Sequence, residues 1–109
     1  KIHDAGNAVD ELAWPMPLLP AFEKEMTDSK IADTRNLGAG RWGGANTAAA
    51  FLKQFVPNRN YDEDGEQITW AHMDIAGTYW GAKTNTMVGN GATGIHVRTM
   101  YHLITNWNN

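Results

Sequence analysis

Cysteine is absent from this sequence of 109 residues. Disulfide bonds, thiolate zinc sites and thiol nucleophiles are therefore excluded. No stretch approaches the roughly 18 consecutive apolar residues of a membrane span, which argues against a membrane partner. Lysine and arginine form no cluster and the formal net charge is −3. This balance disfavours binding to nucleic acid, because phosphates are neutralised by grouped cations.

An initiating methionine and a signal-peptide pattern are also missing at the N-terminus, where the chain begins with Lys1. We interpret Lys1 as a cut or other boundary rather than a natural start. The amino-acid composition is otherwise that of a globular chain, with 42% hydrophobic and 19% charged residues. One folding unit, or a piece of one, is expected. Because Asp74 is the last acidic residue and only Lys83 and Arg98 carry formal charge after it, we expect the final third to be well buried.

Apolar residues at helical spacing predict three helices. The first begins near Pro20, since proline suits the first helical turn, and runs to about Thr27. The second is the clearest, with Asn46 or Thr47 as its cap and Pro57 as its stop, and we expect its stripe to be core. The stripes are Leu19, Phe22 and Met26; Ala48, Phe51, Leu52 and Phe55; and Val97, Met100, Tyr101 and Ile104.

Two strands are predicted between these helices, over residues 31–37 and 68–76. Residues 1–13 are polar and mixed, and residues 58–67 form a polar loop with four acidic side chains. The order helix, strand, helix, strand, helix is typical of an α/β protein in which helices cover a mixed sheet.

Glycines at positions 89, 91 and 94 match the G-x-G-x-x-G pattern of dinucleotide-binding turns. No strand-like run directly precedes them, and no acidic residue follows to bind a ribose. A glycine-rich entry into the last helix is therefore the favoured interpretation.

His72 and Asp74 are the strongest candidates for metal ligands, since residues two apart on a strand share a face. Two ligands are too few for a zinc site, and Asp33 would join them only through the tertiary fold. Hydrogen bonding at the end of a buried strand is the simpler interpretation. His96 and His102 lie on nearly opposite sides of their helix. The acidic loop at 58–67 lacks the order of an EF-hand, and Ser29, the only serine, has no nearby histidine to activate it.

Five ordered segments match the motifs of one known protein family. The most specific is the tryptophan-alanine-histidine-x-aspartate-isoleucine-alanine-glycine motif at residues 70–77. The others are a W-x-L/M-P-L segment at 14–18, an S-x-x-A-D-x-x-N segment at 29–36, an A-A-x-F-L-x-x-F-V helix at 48–56, and matches at 91–94 with 97–99. In these segments the sequence resembles the leucyl aminopeptidase (cytosol aminopeptidase) family, and the resemblance covers about residues 11–107.

The resemblance implies an exopeptidase that releases N-terminal residues, with two divalent metal ions, zinc or manganese, activating water. The family's metal ligands and catalytic lysine and arginine lie upstream in a region that nothing here matches. Residues 1–109 would then be the C-terminal part of the catalytic domain, a portion of an α/β/α sandwich with a mixed sheet. Alone, the chain is predicted to be inactive. Its expected partners are the remainder of the aminopeptidase chain, peptide substrates and copies in a cytoplasmic homo-hexamer.

Substrate-binding residues carry over from the family at two positions, Ala76 and Tyr79, which would line the pocket for the substrate's first side chain. A small residue at the wall leaves room for leucine. Tyr79 is bulkier than many family residues there, and the loop at 58–67 looks longer than usual. The alternative is a catalytically inactive structural or scaffold member of the same family. Nucleic-acid binding, known for some bacterial relatives, is the weakest hypothesis, because the chain is acidic and has no basic cluster.

Overall fold

The computed structural model describes residues 1–56, 69–81 and 90–108. Four helices form within them: α1 (Ile2–Ala8), α2 (Pro20–Thr27), α3 (Gly44–Lys53) and α4 (Val97–Thr105). The chain divides into two compact units, one of Lys1–Pro15 with Asp74–Asn109 and one of Met16–Met73. No helix in the described ranges is both long and apolar enough to cross a membrane.

In the unit of Met16–Met73, α2 packs against α3. Pro20 occupies the start of α2 as predicted, where its missing N–H costs nothing. Met26 of α2 is 1% exposed and Ala50 of α3 is fully buried. Lys53 and Glu23 join the same two helices at the surface through an ion pair of 2.6 Å, which contributes little because both side chains are partly solvated.

The predicted caps of α3 are wrong. Gly43 precedes the helix with a φ of 75°, a left-handed conformation that glycine adopts without steric cost. Asn46 instead donates its side-chain amide to the carbonyl of Pro17, and the Thr47 hydroxyl donates back to the carbonyls of Gly43 and Gly44. Both side chains are buried in these roles. The predicted stop, Pro57, lies outside the described residues.

The expectation that the stripe of α3 is core is also wrong in this chain. Phe51 is half-buried, whereas Leu52 and Phe55 are exposed. Leu52 follows Ala50 by two positions, which places it about 200° further around the helix, so only one of them can face α2. The Phe51 and Phe55 rings pack edge to face, 5.1 Å between centroids.

The strand predicted for residues 31–37 is replaced by a series of bends. The Ser29 hydroxyl accepts hydrogen bonds from the N–H groups of Ile31 and Ala32. Further along, the Arg35 N–H and the Thr34 hydroxyl both donate to the carbonyl of Met26. These local bonds satisfy backbone groups that a strand would pair with a neighbour.

In the other unit, α1 packs against α4. Sequence reasoning missed α1, since its apolar pattern is short and its buried residues, Ala5 and Gly6, are small. Thr99 is the buried residue of α4. Most of the predicted apolar stripe of α4 is exposed instead, with Val97 65%, Tyr101 73% and Ile104 71% exposed, whereas Met100 is half-buried. The helix is thus confirmed, while the expected burial of the final third is wrong for its described residues, most of which are exposed.

The strand predicted over residues 68–76 does not form in its described part, residues 69–76, which run as irregular chain into a turn. Strand-like pairing within the described ranges is limited to one antiparallel bridge between Trp80 and Ala92. A strand requires a paired neighbour for its N–H and C=O groups. The mixed sheet accordingly remains a prediction.

Candidate functional site

The two predicted pocket residues lie on a tight turn. The Asp74 carboxylate accepts a hydrogen bond from the Ala76 N–H at 2.9 Å. The Ile75 carbonyl then accepts the N–H groups of Thr78 and Tyr79, at 2.9 and 3.0 Å. This local pattern, an aspartate bonded two residues on and followed by a turn, is a well-known way of ordering a loop. It fixes the backbone of the segment that carries Ala76 and Tyr79.

The chain after this turn pairs with residues 91–93. The Thr93 N–H donates to the Tyr79 carbonyl at 2.8 Å, and the Gly81 N–H donates to the Gly91 carbonyl at 2.6 Å. The Thr93 hydroxyl also donates to the Thr78 carbonyl at 2.7 Å. Gly91 has a φ of 131°, which other residues rarely adopt. The turn is therefore anchored on a second segment of the same unit.

Ala76 and Tyr79 form an open surface and not an enclosed cavity in this chain. Ala76 is exposed and Tyr79 is 52% exposed. The adjacent Trp80 is exposed too, with its ring centroid 6.4 Å from that of Tyr79. The three side chains together therefore present an exposed and partly aromatic surface.

Two cavities of about 360 and 400 Å³ lie within the individual units, away from these residues. The first is lined by Lys1, Asp4, Ala5, His102, Leu103 and Asn106. The second lies beside the start of α3 and is lined mainly by residues 36–38 with residues 40, 44, 47 and 48. Neither includes the predicted pocket residues.

The metal-ligand candidates are otherwise engaged. The His72 ring stacks on Trp70 at 6.4 Å between centroids, and the Asp74 carboxylate accepts the Ala76 N–H. Asp33 is exposed on the bends after α2. Within residues 1–56, 69–81 and 90–108, no three histidine, aspartate or glutamate side chains are grouped so as to hold a metal ion. The described residues therefore do not fit a metal site.

The remaining candidates have structural roles where they are described. Gly94 has a φ of 66° and its carbonyl accepts the Val97 N–H at 3.1 Å, so it forms the glycine-rich entry into α4. His96 occupies the N-cap position of this helix without a side-chain bond to its backbone, and its ring nitrogen Nδ1 lies 3.2 Å from the Thr99 hydroxyl oxygen. His102 lies within the helix. Gly89 and the acidic loop at 58–67 lie outside the described residues.

Glu11 is the residue that sequence reasoning missed. It is 4% exposed and accepts three hydrogen bonds: from the Thr99 N–H at 2.9 Å, from the Thr99 hydroxyl at 2.8 Å and from Arg98 Nε at 3.2 Å. Burial by itself would raise the pKa of this carboxyl, but the bonds from Thr99 and Arg98 hold the pKa below its ordinary value of 4.5.

This carboxylate supplies the acidic group that the first turn of α4 lacks in its own sequence. A negative charge there is favourable because the N-terminal N–H groups of a helix point toward it. The partners are 88 residues apart, and no local pattern reveals such a pair. The shortage of acid in the first turn of α4 was the one available signal.

Comparison with known proteins identifies the family. Residues 1–101 match the cytosol aminopeptidase family, catalytic domain. The "probable cytosol aminopeptidase" of Afipia carboxidovorans is 42% identical over 104 residues, covering 95% of this chain and 19% of that protein. The corresponding proteins of Methylobacterium radiotolerans and Desulforapulum autotrophicum are 43% and 42% identical, covering 94% and 97% of this chain and 18% and 19% of theirs.

This chain thus spans about a fifth of the length of these curated relatives. The match runs through both compact units, and it includes the turn with Ala76 and Tyr79 and the whole of the first three helices. The chain belongs to the cytosol aminopeptidase family.

Proposed function

We propose that residues 1–109 are the C-terminal part of the catalytic domain of a metal-dependent leucyl aminopeptidase that releases N-terminal residues from peptides. The observation that carries this proposal is the family match over residues 1–101, together with relatives named probable cytosol aminopeptidase. Since the chain spans about a fifth of those relatives, the whole protein's activity belongs to a longer polypeptide.

In this proposal, Ala76 and Tyr79 form one wall of the pocket for the substrate's first side chain. Three features support it: the wall is held by hydrogen bonds on both sides of Tyr79, its side chains are exposed, and Ala76 is small. A small residue leaves volume for a leucyl side chain, while an aromatic neighbour supplies apolar surface.

The two metal ions, zinc or manganese, are held by other parts of the polypeptide in this proposal, because the described residues do not group into a metal site. When bound, such ions would activate water and polarise the peptide carbonyl. The residues of this chain instead contact the substrate side chain and exclude water from it. We assign them no metal ligand and no proton transfer.

The surface of the chain supports its packing against further protein. All five tryptophans are exposed: Trp14, Trp42, Trp70, Trp80 and Trp107. Large exposed apolar side chains in such number mark interfaces. We propose that the remainder of the aminopeptidase, as an α/β/α sandwich with a mixed sheet, and the neighbouring subunits of a cytoplasmic homo-hexamer cover them.

Ala76→Leu in the intact polypeptide tests the pocket. The added side chain should fill space that a leucyl substrate needs, so the leucine-to-alanine ratio of kcat/KM should fall by about 10-fold or more. Ala21→Leu, at an exposed position on α2, is the matched control and should leave the ratio unchanged.

Two outcomes count against the proposal. An unchanged ratio in active Ala76→Leu enzyme removes Ala76 from the pocket. Absence of leucyl hydrolysis by the intact polypeptide with added manganese or zinc rejects the enzyme and favours the inactive structural member of the family.

A further inference from the structure

We infer that Thr93 is a positioning residue that sets the side-chain preference of the pocket by holding Tyr79, an inference that rests on the proposed function. Thr93 makes two hydrogen bonds to consecutive carbonyls of the wall. Its N–H donates to the Tyr79 carbonyl at 2.8 Å, and its hydroxyl donates to the Thr78 carbonyl at 2.7 Å. Both distances are short and typical of well-formed bonds.

The hydroxyl of Thr93 is fixed in its own segment as well. Its oxygen accepts the N–H of Ile95 at 3.3 Å, so it donates toward the wall and accepts from the chain that leads into α4. One side-chain oxygen thus links the turn at residues 75–79 to the entry of the helix. The segment beyond is anchored in turn by the bonds from Thr99 to Glu11.

Tyr79 depends on this anchoring because packing does little to hold its side chain. About half of the side chain is exposed, while its N–H is bonded to the Ile75 carbonyl and its carbonyl to the Thr93 N–H. The direction of its Cα–Cβ bond is therefore set by backbone hydrogen bonds. Loss of the Thr93 hydroxyl would loosen the carbonyl directly before Tyr79 and shift the ring relative to Ala76.

Thr93→Val and Thr93→Ser in the intact polypeptide separate positioning from general damage. Valine keeps the shape and the backbone N–H but removes the hydroxyl, whereas serine retains it. We expect Thr93→Val to lower the leucine-to-alanine ratio of kcat/KM by about 2- to 10-fold, the equivalent of one hydrogen bond. Thr93→Ser should keep the ratio within about twofold of the unaltered protein, by the same reasoning.

The substrate ratio is the decisive measurement, because a purely structural defect lowers kcat/KM for both substrates equally. The inference is overturned if Thr93→Val lowers kcat/KM equally for the leucine and alanine substrates. It is also overturned if Thr93→Val and Thr93→Ser shift the substrate ratio by the same amount. If Thr93→Val does not fold, Thr93→Ala removes the same hydroxyl without a branched side chain. The same outcomes of the substrate ratio then support or overturn the inference.

Ala76→Leu and Tyr79→Ala, measured alongside Thr93→Val, distinguish a failure of the role of Thr93 from a failure of the proposed pocket. A changed ratio with these variants and an unchanged ratio with Thr93→Val rejects the role of Thr93 and leaves the proposed pocket standing. An unchanged ratio with both wall variants rejects the pocket itself, and the role of Thr93 falls with it.

Discussion

Gly6 shows how a single missing side chain permits the contact between two segments. A Cβ atom at this position would lie 2.6 Å from the carbonyl oxygen of Glu11, and the Glu11 N–H bonds to the Gly6 carbonyl at 2.9 Å. The chain after α1 therefore folds back against a bare backbone. The clash would involve main-chain atoms, which cannot rotate away as a flexible side chain can.

We predict that Gly6→Ala destabilises the intact protein. Alanine normally stabilises a helix interior by about 1 kcal/mol relative to glycine. Here, overpacking against a carbonyl should cost about 1–3 kcal/mol and reverse the sign. Thermal unfolding should show a lower Tm for Gly6→Ala, whereas Gly44→Ala, whose Cβ would meet nothing within 4 Å, should show an equal or higher Tm. Equal Tm values for the two variants would contradict this.

Glu11 is a charged residue whose contribution to stability depends on partners that are distant in the sequence. Its pKa is lower in the folded chain than its ordinary value of 4.5, because the bonds from Thr99 and Arg98 outweigh the effect of burial. Between the two pKa values, the unfolded chain binds more protons than the folded one. Stability from this group is thus fully present above the unfolded pKa and is lost as the pH falls through the folded pKa.

We predict that Glu11→Gln lowers the free energy of unfolding by about 1–3 kcal/mol near neutral pH, since hydrogen bonds to a charged acceptor are lost. The difference from the unaltered protein should shrink as the pH falls below 4.5. Denaturant unfolding of both proteins over a series of pH values measures it, and the subtraction cancels other carboxyl groups. A difference that stays constant down to the acid limit would show that the charge of Glu11 has no role.

At the scale of elements, α4 exposes three of its large apolar residues, Val97, Tyr101 and Ile104, and buries its polar Thr99 within its unit. Helical spacing correctly predicted where the helix lies, because periodicity is a local property. The side that faces the rest of its unit was decided by α1, whose small buried residues and nearby Glu11 match Thr99. The apolar side therefore remains available for other protein.

Ile104→Lys tests whether that side is covered in the intact protein. In this chain Ile104 and Thr105 are adjacent and both exposed, so lysine at either position costs little, within about 0.5 kcal/mol. If further protein covers the apolar side, Ile104→Lys places an unpaired charge in an interface and should lower the Tm by several degrees more than Thr105→Lys. Thermal unfolding and size-exclusion profiles of the two variants compare them. Equal behaviour would mean that the side is solvated.

The strands show the limit of local reasoning at this scale. In the segment predicted as a strand at 31–37, the N–H groups of Ile31 and Ala32 bond to Ser29 and that of Arg35 bonds to Met26. The described part of the strand predicted at 68–76 runs as irregular chain into a turn. A segment suited to a strand forms one only when another segment lies beside it and pairs with its backbone. The curated relatives are about five times longer than this chain, so most of their potential partner segments have no counterpart in it.

For the whole molecule, the decisive property is that the chain spans about a fifth of its relatives. We predict that a polypeptide of residues 1–109 hydrolyses no leucyl substrate even with manganese present, since its described residues form no metal site. A chromogenic leucine amide assay against the intact polypeptide measures this. Metal-dependent turnover by residues 1–109 alone would show that the chain carries its own catalytic centre.

Three of the four helices in the described residues were predictable from the sequence, two from apolar spacing alone and one from spacing together with Pro20. The family was predictable as well, from the ordered motifs at residues 14–18, 29–36, 48–56 and 70–77. These depend on local composition and on segment order. The first helix, α1, was not predictable, because its buried face consists of Ala5 and Gly6 and carries almost no apolar signal.

The residues of the candidate site were likewise only partly predictable from the sequence. Ala76 and Tyr79 came from the resemblance of one motif, while Thr93 and Glu11 emerged from hydrogen bonds that join residues 15 and 88 positions apart. The sequence by itself determined the positions of α2, α3 and α4, the lack of thiol chemistry and the family. Only the tertiary structure decided which helix faces are buried, which carboxylate is desolvated and what holds Tyr79, because burial and long-range hydrogen bonding depend on segments that meet only when the chain folds.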